Sequence, residues 1–312
     1  MKFYHIDEDV DQFQRGSARD DSFVVQLATF AGSRWGKASR RLEKQARSLG
    51  EFASIRVWTE CDLESAIFNP IRRYLRTENR GFGFLLWKPV MVLEELRSLK
   101  NGEFLLYVDA GCHLNKRGRH RFDAYLSALN SSKEDVLVYE FPAPSPKILE
   151  QGPFLSFKGL NDPAYAKSEV LSEFLTLGLT KKDFESASIQ GGILLIQKSP
   201  KSVALIEKWS DYGWKRPELF DDSLDKGGEG AQFIDHRHGQ AVLSVIAKKY
   251  GVATLSAAET WVPKTSLSPA HWDLLFQFPI NARGEMTKSR LSKIMDRCLA
   301  ALVKICRKVD FS

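Results

Sequence analysis

Two short stretches of this 312-residue chain carry the side chains best suited to chemistry. In the first, Asp109 directly follows the apolar run 104–108 and precedes an alanine and a glycine. A buried strand that delivers a carboxylate at its carboxyl end is how open α/β sheets place residues against ligands. The plainer interpretation is a strand that ends in a turn, with Asp109 capping the next element.

The second stretch, residues 235–240, holds an aspartate, two histidines, an arginine and a glutamine. His236 and His238 alternate along the chain, so an extended backbone directs both rings to one side. Two imidazoles on one side suit a metal ion or a phosphate, and the remaining option is that one of them is structural. Residues 235–240 are therefore a candidate binding site.

Two further segments have a composition that indicates ligand contact. Trp87-Lys88 opens a helix that has Pro89 in its first turn. There a tryptophan can stack on a base or sugar while a lysine pairs with phosphate, or both can belong to the core. Gly191-Gly192 interrupts the apolar strand 188–196, and paired glycines within a strand indicate that another backbone or a ligand approaches closely.

The chain from residue 23 to residue 59 predicts the elements that position these residues. An apolar strand at 23–30 precedes an amphipathic helix at 37–49, which ends at Gly50, and a second strand comes next at 54–59. This βαβ order predicts a parallel sheet of the Rossmann-like kind that binds nucleotides.

The loop after the first strand is a candidate nucleotide contact. It lies at the carboxyl end of a strand and the N-terminus of a helix, where a base or phosphate is commonly received. The alternative is an ordinary connection between strand and helix. The candidate residues in this loop are Thr29, Ser33 and Arg34.

The net charge of +6 by itself suggests a nucleic-acid partner, but the position of the charged residues in the chain argues otherwise. Residues 288–308 contain seven basic residues and one acidic residue, so this segment accounts for the whole +6. The near-neutral remainder argues against a nucleic-acid partner. The apolar residues of 288–312 fall on one helical face, so we predict a basic amphipathic helix that either packs on the body or lies on an anionic membrane surface.

The start of the chain is polar and gives no signal of regular structure. Residues 1–21 are interpreted as an irregular arm that precedes a folded domain at 22–287. No window is apolar enough to span a membrane, and the start lacks a signal-peptide core. The sequence thus predicts a cytoplasmic protein, peripheral on the inner face of the membrane if the C-terminal helix binds lipid.

Several of these blocks, taken together and in this order, resemble bacterial glycosyltransferases of the GT-A type that build capsule, lipopolysaccharide and related surface glycans. The joint occurrence of the blocks, across about residues 22–250, is far more specific than any one block. The resemblance implies an α/β fold, GT-A and Rossmann-like, with a mixed, mainly parallel sheet flanked by helices. The matching blocks are 81–89 with Trp-Lys-Pro, 105–112 with Asp-Ala-Gly-Cys, 181–183, 189–192 and 234–240.

The resemblance also implies a metal site. Asp109 stands where such enzymes hold Mn²⁺ or Mg²⁺ on the donor diphosphate, and His236 and His238 are candidates for further ligands. The second carboxylate of the family's Asp-x-Asp motif is absent, because its position is occupied by Gly111. A site without metal would neutralise the diphosphate with cationic side chains such as Lys88.

The remaining roles are implied in the same way. Gly239 stands where relatives tend to carry an aspartate, so that role is either lost or taken by Asp183 or Asp235. Gln190 is a third catalytic candidate, since its strand resembles the substrate strand of some retaining families; inversion or retention stays open. The residues expected to contact the donor are Thr29, Ser33, Arg34, Trp87, Lys88, Asp109, Gly111 and Arg237.

The expected function is transfer of a sugar from a nucleotide-sugar donor, most often a UDP-sugar in such folds, to a surface-glycan or lipid-linked acceptor. The acceptor is expected between the proline-rich segment 142–153 and residues 236–240. The alternative is a catalytically inactive protein that binds nucleotide sugars or glycans, in which Gly111 and Gly239 have replaced working carboxylates.

Overall fold

The computed structural model describes residues 3–16, 23–32, 35–66, 71–141, 161–224, 228–260 and 277–282. The strands in these ranges are β1 Phe3–His5, β2 Val25–Phe30, β3 Ser54–Trp58, β4 Phe104–Val108, β5 His113–Leu114, β6 Val136–Phe141, β7 Ser188–Gln197, β8 Val252–Ser256 and β9 Ile280–Asn281. Seven strands form one sheet in the order β1-β8-β6-β7-β4-β2-β3, and β5 pairs with β9 in a separate ribbon.

The main sheet is mixed and mostly parallel. Four of its six pairings between described strands are parallel, while β7 runs antiparallel to both of its neighbours, β4 and β6. The predicted mixed, mainly parallel sheet flanked by helices is therefore confirmed. The helices are α1 Asp7–Gly16, α2 Gly36–Leu49, α3 Glu60–Ala66, α4 Trp87–Ser98, α5 Arg119–Ser131, α6 Asp162–Tyr165, α7 Ser168–Thr176, α8 Lys181–Glu185, α9 Pro200–Lys215 and α10 Gly239–Tyr250.

Strand β4 lies inside the sheet because all of its side chains are apolar or aromatic and are buried. Leu105 and Tyr107 pack in the hydrophobic cluster that includes α4, α9 and α10. Phe104, Leu106 and Val108 alternate with them and pack in the second cluster, with α1, α2 and α5. A strand buried on both faces reads as an unbroken apolar run, which is why its position could be inferred from the sequence.

The predicted βαβ unit is present, because β2 and β3 pair in parallel and α2 lies between them in the chain. Gly50 ends α2 in the left-handed region with φ of 78°, a conformation that glycine adopts without steric cost. Phe30 is the last residue of β2, so the residues after it lie at the carboxyl edge of the sheet, in agreement with the sequence pattern.

The interpretation of residues 1–21 as an irregular arm is wrong for residues 3–16. Strand β1 extends the sheet by pairing in parallel with β8, and α1 comes directly after it. Val10 in α1 and Ile6, directly before the helix, are both buried and dock this mostly polar helix on the body. The acidic residues of its first turn also favour the helix through the backbone dipole.

Several sequence-based predictions fall outside the described residues. These are the roles of Ser33 and Arg34, the proline-rich segment 142–153, and the amphipathic helix at 288–312 with its membrane contact. Within the part of the chain that the structure describes, no helix combines the length and apolar character needed to cross a bilayer.

Candidate functional site

A cavity of about 830 Å³ lies at the carboxyl ends of β2 and β4. Gly32, just after β2, lines it, and so do the residues after β4 from Asp109 to Cys112. Because β7 is antiparallel to β4, its amino-terminal half reaches the same edge and contributes Gln190. The aromatic residues that line the cavity are Phe30, Trp35, Phe82, Trp87, Phe141 and Tyr165.

Two buried side chains hold the Asp109 carboxylate in place by hydrogen bonds. Its Oδ1 accepts hydrogen bonds from Lys88 Nζ at 2.8 Å and from Tyr107 Oη at 2.5 Å. Burial, with a further contribution from Asp109, holds the pKa of Tyr107 well above its usual range, so the phenol remains a donor. The Asp109 side chain itself is 46% exposed and faces the cavity.

Trp87 and Lys88 are adjacent in the chain but differ in whether their side chains line the cavity. Trp87 lines the cavity, packs on Phe30 with ring centroids 4.1 Å apart, and donates from Nε1 to Gly81 O. Lys88 does not line the cavity: its side chain is 3% exposed, and its Nζ also donates to Gly191 O at 3.0 Å. Lys88 is therefore an internal counter-charge for Asp109.

The glycine pair of β7 is required by close neighbours, as the sequence predicted. A Cβ on Gly192 would lie 2.8 Å from Asp109 Oδ2, and a Cβ on Gly191 would lie 2.8 Å from Gln240 Cβ. Any side chain at these positions would displace groups that line the cavity. The two glycines thus let Asp109 and Gln240 approach the strand from either side.

His236 supports the backbone rather than a ligand. Its Nε2 hydrogen-bonds to Leu219 O at 3.0 Å, and its Nδ1 accepts from Lys167 N at 3.4 Å. Burial, together with the neighbouring His238, lowers the pKa of His236 to about 3, so the ring is neutral near neutral pH. With both nitrogens engaged, the prediction that His236 is a metal ligand is not compatible with these contacts.

His238 is likewise directed into the protein. Its backbone has φ of 51°, and its Nδ1 lies 2.7 Å from Phe220 O. Its Nε2 has no hydrogen-bond partner among the described residues and lies 3.7 Å from Asp222 Oδ1. The two rings do lie side by side, with centroids 5.3 Å apart, but they face Leu219 and Phe220 and do not line the cavity, so they do not form the predicted pair of ligands.

The residues at the cavity do not fit a divalent metal. Asp109 has one carboxylate oxygen committed to Lys88 and Tyr107, and Gly111 supplies no second carboxylate. Across the described ranges, no three His, Cys, Asp or Glu side chains come together in a way that would hold a metal ion. Mg²⁺ and Mn²⁺ favour several oxygen ligands, which this arrangement does not provide.

The loop 235–240 nevertheless contributes to the cavity through its other members. Arg237 and Gln240 line it, and the Arg237 guanidinium lies 4.8 Å from the centroid of the Tyr165 ring. Asp235 forms a bidentate ion pair with Arg80, at 2.9 and 2.7 Å, and this hydrogen bonding lowers the pKa of Asp235. Asp235 thus holds a cavity-lining arginine.

The other predicted residues are divided between the cavity and the scaffold. Gln190 lines the cavity, and its Oε1 accepts from Thr260 Oγ1 at 2.8 Å. Asp183 is on the surface, where it forms a capping box with Thr180, and that hydrogen bond lowers the pKa of Asp183 to about 2. Thr29 is fully buried and is not among the lining residues.

The sequence-based reasoning missed a group of lining residues on the segment 77–82. Arg80 is the chief example, and the clustered arginines before it gave no reason to select it. The backbone beside it is strained, since Phe82, Phe84 and Leu85 all have positive φ. Such conformations in bulky residues persist only where surrounding packing enforces them, and they concentrate at functional sites.

No family model matches the sequence, and no curated protein matches it. Among the solved structures that resemble the chain, all at low identity, are three glycosyltransferases. A glycosyltransferase involved in the glycosylation of the major capsid of PBCV-1 is 11% identical, with a TM-score of 0.42 over 86% of this chain and 96% of that one. The galactosyltransferase LgtC, in complex with donor and acceptor sugar analogs, is 11% identical, with a TM-score of 0.39 over 83% and 86%. The bifunctional glycosyltransferase WbbM is 10% identical, with a TM-score of 0.40 over 86% of this chain and 47% of that one.

Proposed function

We propose that this protein is a glycosyltransferase that takes a nucleotide sugar as donor, with a UDP-sugar as the first candidate and a surface-glycan or lipid-linked glycan as acceptor. The observation that carries the proposal is Asp109, anchored by Lys88 and Tyr107 at the carboxyl end of β4 within the cavity. A fixed carboxylate at this edge of an α/β sheet is suited to accepting hydrogen bonds from sugar hydroxyls.

The other lining residues suit the remaining parts of such a donor. The aromatic wall around Phe30 and Trp35 offers apolar faces to a base. Arg237 offers a planar cation to the diphosphate, and its guanidinium is already positioned over the Tyr165 ring. Gln190 has its Oε1 fixed by Thr260 and offers an amide to the sugar or to the leaving group.

The test is a thermal-shift panel of nucleotides and nucleotide sugars, followed by an assay of nucleotide release with each sugar that binds. We expect one nucleotide family to raise the melting temperature, because a ligand that binds only the folded state stabilises it. A stabilising nucleotide sugar that is never turned over, with any acceptor, would instead support the catalytically inactive binding protein.

Variants connect the assay to the cavity. Arg237→Met keeps an unbranched apolar side chain but removes the cation, so we expect nucleotide binding to weaken by about 10- to 100-fold, the usual effect of losing a charged hydrogen bond. Asp183→Ala is the matched control, because its carboxylate caps a surface helix. We expect Asp183→Ala to cost about 1 kcal/mol of stability and to leave binding unchanged.

A further inference from the structure

We propose that this site binds its donor without a divalent metal, because Lys88 already supplies the cation that Asp109 would otherwise take from solution. The inference rests on the proposed function and specifies how the same site handles charge. It departs from the metal-bound carboxylate implied by the sequence resemblance, and it is drawn from the contacts of Lys88, Tyr107 and Asp109.

Lys88 is enclosed by the protein and depends on Asp109 for its counter-charge. Its side chain is 3% exposed, and Asp109 Oδ1 is the carboxylate oxygen with which it pairs among the described residues. An ammonium group removed from water is strongly unfavourable unless it keeps its counter-charge. A metal ion that drew Asp109 away would leave Lys88 buried and unpaired.

The orientation of Asp109 is also unsuited to a metal. Tyr107 and Lys88 converge on Oδ1, which orients Asp109 so that Oδ2 lies beside the backbone of Gly192. A dication bound to this carboxylate would sit close to the buried Lys88 ammonium and would be repelled by it. The described residues also give it no group of three protein ligands. The Lys88 ammonium is thus the main obstacle to a metal, and the small number of protein ligands adds to it.

The charge of the donor must still be balanced by cations. A diphosphate requires them, and Arg80 and Arg237 both line the cavity. Within the described residues no carboxylate forms an ion pair with Arg237, whereas Arg80 is held by Asp235 and Asp222. Arg237 is therefore the group to which we assign the diphosphate, while the Lys88–Asp109 pair, neutral as a unit, binds hydroxyls.

The experiment measures nucleotide binding by thermal shift and calorimetry, first in EDTA and then with Mn²⁺. We expect the dissociation constant of the preferred nucleotide to be the same in both conditions within about twofold. Binding that is about tenfold or more tighter with Mn²⁺ would overturn this inference and leave the proposed function in place. Absence of binding in both conditions would overturn the proposed function, and this inference with it.

Two variants give a readout that does not depend on activity. Lys88→Met removes the internal cation and frees the carboxylate, so we expect Mn²⁺, followed by electron paramagnetic resonance, to bind the nucleotide complex of this variant but not that of the unaltered protein. The double variant Lys88→Met/Asp109→Asn removes both charges and is the control for altered packing. If the double variant takes up Mn²⁺ as well as the single one, the metal binds elsewhere and Lys88 is not what excludes it.

Discussion

His236 has a structural role, although its residue type made it a candidate metal ligand. The ring links two backbone segments, since it contacts Leu219 O and Lys167 N, and it is 2% exposed. Protonation would force Nδ1 to donate where it now accepts. The same contacts that exclude a metal role therefore make the folded state sensitive to pH.

This sensitivity lowers the stability of the folded state as the pH falls. The pKa of His236 falls from its ordinary value of 6.5 to about 3 in the folded chain, mainly through burial. Between those values the unfolded chain binds a proton that the folded chain does not, so stability is lost as pH falls below 6.5. At pH 5 the loss should be about 2 kcal/mol.

Urea unfolding at pH 7.5 and pH 5.0 checks this prediction. The matched variant is His236→Gln, whose amide can replace the hydrogen bond to Leu219 O but does not titrate. We expect the variant to lose about 2 kcal/mol less than the unaltered protein between the two pH values. Equal losses in both proteins would show that His236 titrates normally.

At the scale of elements, the cavity depends on segments that accept unusual backbone. The segment around Phe82, Phe84 and Leu85 has positive φ values of 53°, 57° and 60°. Packing compensates for this strain: the Phe82 ring stacks on Phe30 with centroids 5.8 Å apart, and the Phe84 ring lies 5.3 Å from His238. The strained segment and the 235–240 loop therefore hold each other in place at the cavity rim.

Strand β7 gives a direct test of such positioning. In Gly192→Ala the new Cβ would meet Asp109 Oδ2 at 2.8 Å, so the carboxylate must move away from the strand. We expect a loss of about 1–3 kcal/mol of stability from overpacking, together with weaker nucleotide binding. Gly230→Ala is the control, because a Cβ at Gly230 would meet nothing within 4 Å. Unchanged binding in Gly192→Ala would mean that the position of Asp109 is unimportant for the donor.

At the scale of the whole molecule, the N-terminal unit completes the sheet. Arg121 on α5 donates from Nη1 to Asp11 Oδ1 at 2.6 Å and to Gln14 Oε1 at 2.8 Å, both on α1. From Nη2 it donates to the buried Glu259 at 2.5 Å. One arginine thus ties the first helix of the chain to the segment directly after β8.

Two substitutions on the same helix test whether α1 is integral to the domain. Val10 is fully buried, whereas Phe13 is 40% exposed. We expect Val10→Ala to lower the free energy of unfolding by about 2 kcal/mol and Phe13→Ala to change it by less than about 0.5 kcal/mol. Chemical denaturation measures both. If residues 3–16 were an irregular arm, neither substitution would change the free energy of unfolding.

The local sequence pattern was sufficient to predict those structural features whose physical cause lies in neighbouring residues. The unbroken apolar run of β4 predicted a buried strand that ends at Asp109, and the glycine at the end of α2 predicted its cap. Gly191 and Gly192 indicated a close approach without revealing its partners. Alternation correctly placed the rings of His236 and His238 together, with centroids 5.3 Å apart, but it could not show that they contact Leu219 O and Phe220 O inside the protein.

The amino-acid sequence by itself determined the parallel βαβ unit and the edge at which Asp109 emerges, because periodic burial fixes strands and helices from their own residues, while the mixed sheet was implied by the resemblance. The tertiary structure alone decided which groups Asp109 meets, that Asp235 serves Arg80, and that residues 3–16 belong to the sheet. Arg80 and Asp235 are 155 residues apart in the chain, and Lys88 and Asp109 are 21 apart. Contacts across such separations are set by the packing of whole elements, which no local pattern encodes.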